Sequence, residues 1–304
     1  MLTSATSSRS LFHSNLKYRK LSSFFLCCFT TDFLISKTFE IPTRAFSTCS
    51  VINPPDLLQV SQNPKTLKQA MSAYNQAEKD VVARSSPELH YNRGIALKYE
   101  EEFLSALQSF SSASALDPTW GEPSSQTVHL LKYLQDILTL SQLKGKLKPK
   151  KLSSLVGGLD EGKQLGPYSD GGYKSPNGGT VKLTPIPFSQ LTDGINEEKV
   201  ILGVVICSVH SEDSVPFTFI IVDSSGTPVV VTLYNLSPGK GVIIGDTVAI
   251  PEPHFTDINL SWAGVSYQFW LVRVESPLVL IINGRKASRE LQAGVQMSTF
   301  TKTD

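Results

Sequence analysis

The chain has 304 residues, of which 40% are hydrophobic, and its formal net charge at pH 7 is +1. This length accommodates about two domains. The balanced charge indicates neither a generally basic nucleic-acid-binding protein nor a membrane-surface protein. The four cysteines, Cys27, Cys28, Cys49 and Cys207, form neither a disulfide framework nor a metal-binding quartet, which favours a reducing compartment. Cys207 lies in an apolar run and is expected in a core.

Residues 1–60 are predicted to be a disordered leader or a transit peptide. The first fifty are rich in Ser and Thr, and basic residues precede Asp32, the first acidic residue. The stretch "TRAFST" is similar to a mitochondrial processing site, so residues 1–46 are a candidate for cleavage. The alternative is an N-terminus from a different gene model. The apolar patch around Asp32 is too short and polar for a membrane span.

Residues 87–118, "PELHYNRGIALKYEEEFLSALQSFSSASALDP", have the spacing of one tetratricopeptide repeat. Gly94 and Ala106 are small where two antiparallel helices would approach closely, and Leu97 and Phe110 would fill the space between them. Pro118 cannot continue a helix and is predicted to end the second one. The stretch therefore predicts a helical hairpin.

Two further helices are predicted on either side of this hairpin, giving a helical region over residues 61–143. The first spans 63–80, and its apolar residues recur every three or four positions. The second, a capping helix over 124–140, is predicted to begin at a Ser cap, Ser124 or Ser125. The expected buried faces are Leu67, Ala70, Tyr74 and Ala77 in the first and Val128, Leu131, Leu134 and Leu138 in the second. This region is typical of the end of a longer repeat array.

Residues 144–152 are predicted to be a basic linker. Its lysines have two interpretations, which sequence leaves open. They either follow the end of a helix, where the macrodipole favours cations, or contact phosphate, in RNA or as a nuclear import signal. The five lysines are Lys144, Lys146, Lys148, Lys150 and Lys151.

Residues 153–290 are predicted to form a five-stranded barrel of the OB-fold type, with a β-sandwich as the alternative, and residues 291–304 a disordered tail. Pro251 and Pro253 are expected to end the fourth strand because proline cannot donate to a ladder. The overall fold class is α + β multidomain, with a short tetratricopeptide-type helical hairpin region before the barrel. The predicted strands lie within 199–210, 216–226, 227–236, 245–253 and 265–284.

Six aromatic residues raise the alternative that the barrel binds single-stranded nucleic acid. From Lys150 to Glu290 there are 11 Lys and Arg against 14 Asp and Glu, which argues against a phosphate-binding stripe. The aromatics are therefore interpreted mainly as core. They are Tyr234, Phe255, Trp262, Tyr267, Phe269 and Trp270.

An enzyme is the least favoured class of protein. The sequence has no phosphate-binding loop, no HExxH and no GxSxG. We therefore expect no catalytic residue, no cofactor, no metal and no small-molecule substrate.

Several stretches together resemble the tetratricopeptide repeat protein 5 family. They include "SAYNQAEK", "LHYNR", "SALQSFSSASALDPTWGEP", "LGPYSDGGYKS", "VPFTFIIVDSSG", "IGDTVAIPEP" and "RVESPLVLIING", within about Asn63 to Arg285. The resemblance implies a repeat array followed by an OB-fold domain, with the chain N-terminally truncated relative to the family. It implies a non-enzymatic adaptor that recognises the N-terminal peptide of nascent tubulins at the ribosome and triggers decay of tubulin mRNA. Histone acetyltransferase complexes in stress transcription are also implied partners.

The resemblance also implies site residues. Glu88 in "SPELH" and Glu122 in "WGEP" match the acidic pair that holds the basic residue of the tubulin peptide, and paired carboxylates suit a guanidinium. The alternative is that both are solvated carboxylates near helix starts. Lys148 and Lys150 match the lysines that contact the ribosome. The family's groove arginine comes from an earlier repeat, which leaves two alternatives: a half-groove that still binds, or a truncated product with little independent function.

The family works in the cytoplasm and the nucleus, and the same localisation is predicted for this chain. The alternative is the mitochondrion, if residues 1–46 are a cleaved transit peptide.

Overall fold

The computed structural model describes residues 64–169, 173–174, 180–213 and 215–293. The predictions for the leader, and for all but the first three residues of the tail, lie outside these ranges. The described chain forms two compact units, one up to Thr127 and the other from Val128 onward. The predicted domain boundaries stay predictions.

The first unit is helical, and its first helix has the predicted apolar face. Leu67, Ala70, Tyr74 and Ala77 are each no more than 9% exposed, because they recur on one side of the helix. The helices that begin in this unit are α1 Pro64–Ala77, α2 Val81–Arg84, α3 Pro87–Tyr99, α4 Phe103–Leu116 and α5 Glu122–Gln142.

Helices α3 and α4 form the predicted hairpin. Ala106 and Phe110 are fully buried, and a Cβ on Gly94 would lie only 2.6 Å from the Phe110 ring. Glycine is therefore required where the helices touch. Helix α4 ends at Leu116, because Pro118 disfavours the helical conformation at the residue before it.

Helix α5 differs from the prediction in its start and in its buried face. It begins at Glu122 rather than at a Ser cap. Leu134 is buried as predicted, but Val128 is 63% exposed and Leu131 and Leu138 are only half-buried, so the buried face is rotated about the helix axis relative to the predicted stripe. The Tyr133 hydroxyl lies 2.8 Å from Thr218 Oγ1 in the second unit's sheet, which shows which side of this part of the helix is covered. The buried apolar residues of α5 are Leu130, Tyr133, Leu134 and Ile137.

The second unit adds short helices before and between its strands. They are α6 Pro149–Val156 and α7 Glu161–Gln164, with 3-10 turns at Lys144–Lys146, Gly166–Tyr168, Phe188–Gln190, Pro277–Val279 and Arg289–Leu291.

Most strands of the second unit belong to one curled sheet. The strands are β1 Tyr173–Lys174, β2 Thr180–Val181, β3 Thr184–Pro185, β4 Gly194–Ile195, β5 Lys199–Val209, β6 Phe217–Val222, β7 Pro228–Leu233, β8 Thr247–Pro251, β9 His254–Trp262, β10 Val265–Val274, β11 Ile281–Ile282 and β12 Arg285–Lys286. β5 pairs antiparallel with β6 and β8, β6 with β7, and β9 with β10, whereas β7 and β10 run parallel.

The predicted count of five strands does not match this sheet. The fourth strand ends at Pro251 as expected, but after a turn at Glu252, with a φ of 41°, the chain resumes as β9. The last predicted strand divides into β10 and β11. Because β8 pairs with β5 and β9 pairs with β10, the kink at Glu252 carries the chain from one end of the sheet to the other. The sheet curls in the manner of an OB fold.

The interior of this sheet is apolar, with Phe188, Ile201, Phe219 and Ile221 fully buried. Among the six candidate stacking aromatics, four are also buried, which confirms the core interpretation for them. The buried four are Tyr234, Phe255, Tyr267 and Phe269, whereas Trp262 and Trp270 are half-buried.

Candidate functional site

Glu88 lies in the first turn of α3 and is oriented by the helix cap. The Ser86 hydroxyl accepts a hydrogen bond from the Leu89 amide at 3.3 Å and donates one to Glu88 Oε2 at 2.8 Å. Glu88 is half-buried and makes no ion pair with any residue in the described ranges. Ser86 therefore fixes one carboxylate oxygen and leaves the other free to accept from a ligand.

Glu122 is the first residue of α5 and is exposed. Within the described part of the chain no cation pairs with it. A carboxylate in the first turn of a helix is stabilised by the macrodipole, so both glutamates also favour their own helices. Helix stabilisation alone is thus one explanation for each of them.

Two contacts bring the helix starts that carry these glutamates side by side. The ring centroids of Tyr91 and Trp120 are 4.7 Å apart, and Lys98 Nζ donates to Gln126 Oε1 at 3.0 Å. Tyr91 lies one turn after Glu88, and Trp120 lies two residues before Glu122. Tyr91 contacts Trp120 just before α5, and the later Lys98 contacts Gln126 within α5, so the two helices run in the same direction here.

This arrangement is that of equivalent helices in successive repeats. Glu88 and Glu122 are 34 residues apart, which is the period of a tetratricopeptide repeat. The start of α5 therefore lies where the first helix of a following repeat would lie, and its role as an end cap stays a prediction. The spacing was available in the sequence. The Tyr91–Trp120 contact is not among the sequence predictions, although Trp120, directly before "GEP", is the residue that indicates it.

The lysine-rich segment starts with an unusual backbone turn. Lys144, Gly145 and Lys146 have φ values of 46°, 68° and 57°, so three successive residues are left-handed. A Cβ on Gly145 would lie 2.8 Å from the Ile206 carbonyl oxygen, so the turn is seated directly on strand β5. Left-handed conformations cost L-residues about 1–2 kcal/mol each. Packing on β5 offsets this cost and fixes where the lysines begin.

Lys148 and Lys150 lie at the N-terminal end of α6, not at the C-terminal end of a helix. Lys148 is its N-cap residue and Lys150 falls in its first turn, and both are exposed. The helix-end explanation accordingly fits Lys144 and Lys146, which follow α5, but is wrong for these two, because the macrodipole disfavours cations there. Nor does either pair with a carboxylate among the residues described.

Cys207 is buried on β5, and burial raises the pKa of its thiol to about 11. It therefore stays protonated at neutral pH, as expected of a core residue. In the described ranges no three His, Cys, Asp or Glu side chains cluster as metal ligands. The helices described there are also too short or too polar to span a bilayer.

The fold and these sites define a class of protein with tetratricopeptide-type helices followed by an OB-fold domain. Residues 182–296 match the family Tetratricopeptide repeat protein 5 OB fold domain. The chain belongs to the tetratricopeptide repeat protein 5 family. It is 48% identical over 233 residues to tetratricopeptide repeat protein 5 of Homo sapiens, covering 76% of this chain and 53% of that protein.

The corresponding protein of Mus musculus is 46% identical over 239 residues, covering 78% of this chain and 54% of that protein. The chain thus spans about half the length of the curated relatives it matches. Membership supports a non-enzymatic, protein-binding class of repeat and OB-fold protein.

Proposed function

We propose that the chain is a non-catalytic adaptor that captures a basic N-terminal peptide of the nascent tubulin type at the ribosome. The observation that carries this proposal is the pair of glutamates without a counter-cation, Glu88 and Glu122, on adjacent helix starts one repeat period apart. A guanidinium suits such a pair because its planar donors bind carboxylates in charge-assisted hydrogen bonds.

The surroundings of the pair favour arginine over lysine. Ser86 holds one oxygen of Glu88, which pre-organises the carboxylate and lowers the entropy lost on binding. The half-buried Trp120 packs against Tyr91 two residues before Glu122, so an aromatic ring lies at the start of α5. A guanidinium stacks on such a ring more readily than an ammonium does.

The ribosomal part of the proposal rests on Lys148 and Lys150. Neither the macrodipole nor an ion pair with the described chain accounts for lysines at these positions. Exposed lysines without an ion pair to the described chain are suited to the phosphates of rRNA. The OB-fold domain is proposed as a protein-contact surface, and histone acetyltransferase complexes are further candidate partners. We accordingly propose the cytoplasm and nucleus as its location, with the mitochondrion as the alternative.

The peptide proposal is tested by fluorescence anisotropy of the full chain with labelled peptides. A peptide beginning Met-Arg-Glu is expected to bind at least tenfold more tightly than one beginning Met-Ala-Glu, since a hydrogen bond to a charged group contributes about 1.5–3 kcal/mol. Equal affinities for the two peptides would contradict the proposal. A peptide with lysine in place of arginine should fall between them.

The ribosome proposal is tested by co-sedimentation of the full chain with purified ribosomes over a range of salt concentrations. Replacing Lys148 and Lys150 with glutamine is expected to lower affinity and to reduce the slope of log affinity against log salt by about two. Replacing the exposed Lys240 and Lys286 in the same way provides a control with equal net charge. An unchanged slope in the Lys148 and Lys150 variant would remove the ribosomal half.

A further inference from the structure

Helix α6 places two serines directly after its lysines. Its sequence is "PKKLSSLV", and Ser153 and Ser154 are both exposed. Neither hydroxyl makes a hydrogen bond with a described residue, although a helical serine commonly bonds a carbonyl one turn back. Both oxygens are therefore open to an external reagent.

The helix that carries these serines is held weakly. It has eight residues, and none of them is buried. Its apolar residues Leu152, Leu155 and Val156 are only half-buried, and Gly157 and Gly158 follow it directly. A segment with few buried apolar contacts opens locally at low cost. Such a segment can adopt the extended conformation that an enzyme cleft requires.

We propose that Ser153 is a phosphorylation site for a protein kinase with an acidic substrate cleft, and that its phosphate switches off the contacts of Lys148 and Lys150. Lys150 and Lys151 lie three and two residues before Ser153, a charge pattern that such a cleft recognises. Ser154 lacks this pattern because Leu152 stands two residues before it. In the transfer, the Ser153 hydroxyl oxygen forms a bond to the γ-phosphorus of ATP. The bond to the leaving ADP oxygen breaks, and the hydroxyl proton passes to a base on the kinase.

The effect of the phosphate follows from its position. A phosphoserine carries a charge of about −1.5 to −2 at pH 7. On a helix, residues three apart are neighbours, so a phosphate on Ser153 lies beside Lys150 and competes with rRNA for it. The Ser153 carbonyl accepts from the Gly157 amide in the last turn of α6. A negative charge there opposes the macrodipole and loosens the helix. This inference rests on the proposed ribosome contact of the same lysines.

The test uses the full chain, ATP and the catalytic subunit of cAMP-dependent protein kinase, with the modified residue located by mass spectrometry. Phosphate is expected on Ser153, lost in Ser153→Ala and retained in Ser154→Ala. Co-sedimentation with purified ribosomes then compares the phosphorylated chain with the unmodified chain. Affinity is expected to fall about tenfold, with the salt slope reduced by one to two, the effect of losing one or two phosphate contacts.

Each of the other outcomes would overturn one part of the proposal. If no phosphate is found on Ser153, the modification site is wrong. If Ser153 is phosphorylated but ribosome affinity is unchanged, while Lys148→Gln with Lys150→Gln lowers it, the switch is wrong and the proposed function stands. If the lysine variant also binds unchanged, the ribosome contact itself fails, and the switch fails with it. Ser153→Ala treated with kinase controls for phosphate elsewhere.

Discussion

Replacing Gly94 with valine is expected to destabilise the helical unit by about 3 kcal/mol. Even a Cβ at this position would lie 2.6 Å from the ring of Phe110, and that ring is fully buried. Ala106 and Leu107 on the same helix are also fully buried, so this part of the hairpin has little free space to accept the added atoms. Urea denaturation followed by helical circular dichroism would measure the loss as a lower midpoint for the helical transition.

Two matched variants distinguish the steric clash with the Phe110 ring from a general effect of valine in a helix. Ala115 is exposed on α4 of the same hairpin, so Ala115→Val should cost only about 0.5 kcal/mol of helix propensity. Phe110→Ala alone leaves a cavity and should cost about 3–5 kcal/mol. Combined with Gly94→Val it should cost clearly less than the two single costs added. Strict additivity in this cycle would contradict direct contact between the two side chains.

The hairpin could be predicted because its determinants are local. Gly94, Ala106 and Phe110 lie within one repeat, and two small residues facing one large residue at those offsets indicate two closely packed helices. The buried face of α5 could not be predicted in the same way. Its leucines allow two stripes, and the choice depends on contacts such as Tyr133 with Thr218, 85 residues away.

Strand β9 is absent from the predicted strands because Pro253 predicts the end of pairing. The alternation of Phe255, Asp257, Ile258, Asn259 and Leu260 is nevertheless close to that of a half-buried strand, and it was present in the sequence. The turn at Glu252 redirects the chain after β8, so that pairing resumes in β9. A positive φ at a non-glycine residue has no composition signal.

The candidate sites also divide into features that the sequence could predict and features that it could not. Glu88 and Glu122 came from the family resemblance, and their separation by one repeat period explains why their helices lie together. The left-handed turn at Lys144–Lys146 could not be anticipated, since lysine does not favour that conformation. In this turn Gly145 lies directly against β5. That turn gives the lysine segment a fixed starting point.

Replacing Glu88 with lysine is expected to lower affinity for a Met-Arg-Glu peptide at least a hundredfold. The substitution removes a charge-assisted hydrogen bond and sets a like charge against the guanidinium. Its effect on folding should be small, about 0.5–1 kcal/mol, which is the cost of a cation in the first turn of a helix. Fluorescence anisotropy and urea denaturation of the same preparation would measure both quantities.

The disparity between these two effects distinguishes a binding carboxylate from one that only stabilises its helix. Glu161 is an exposed first-turn glutamate in the other unit, so Glu161→Lys carries the same charge change and should leave peptide affinity unaltered. A peptide with glutamate in place of its arginine should regain affinity for the Glu88→Lys chain, because the charges are then exchanged. If peptide affinity falls by no more than the loss of folding stability accounts for, Glu88 only stabilises its helix. The same conclusion follows if the peptide with glutamate gains no affinity for the Glu88→Lys chain. Recognition would then lie outside the pair formed with Glu122.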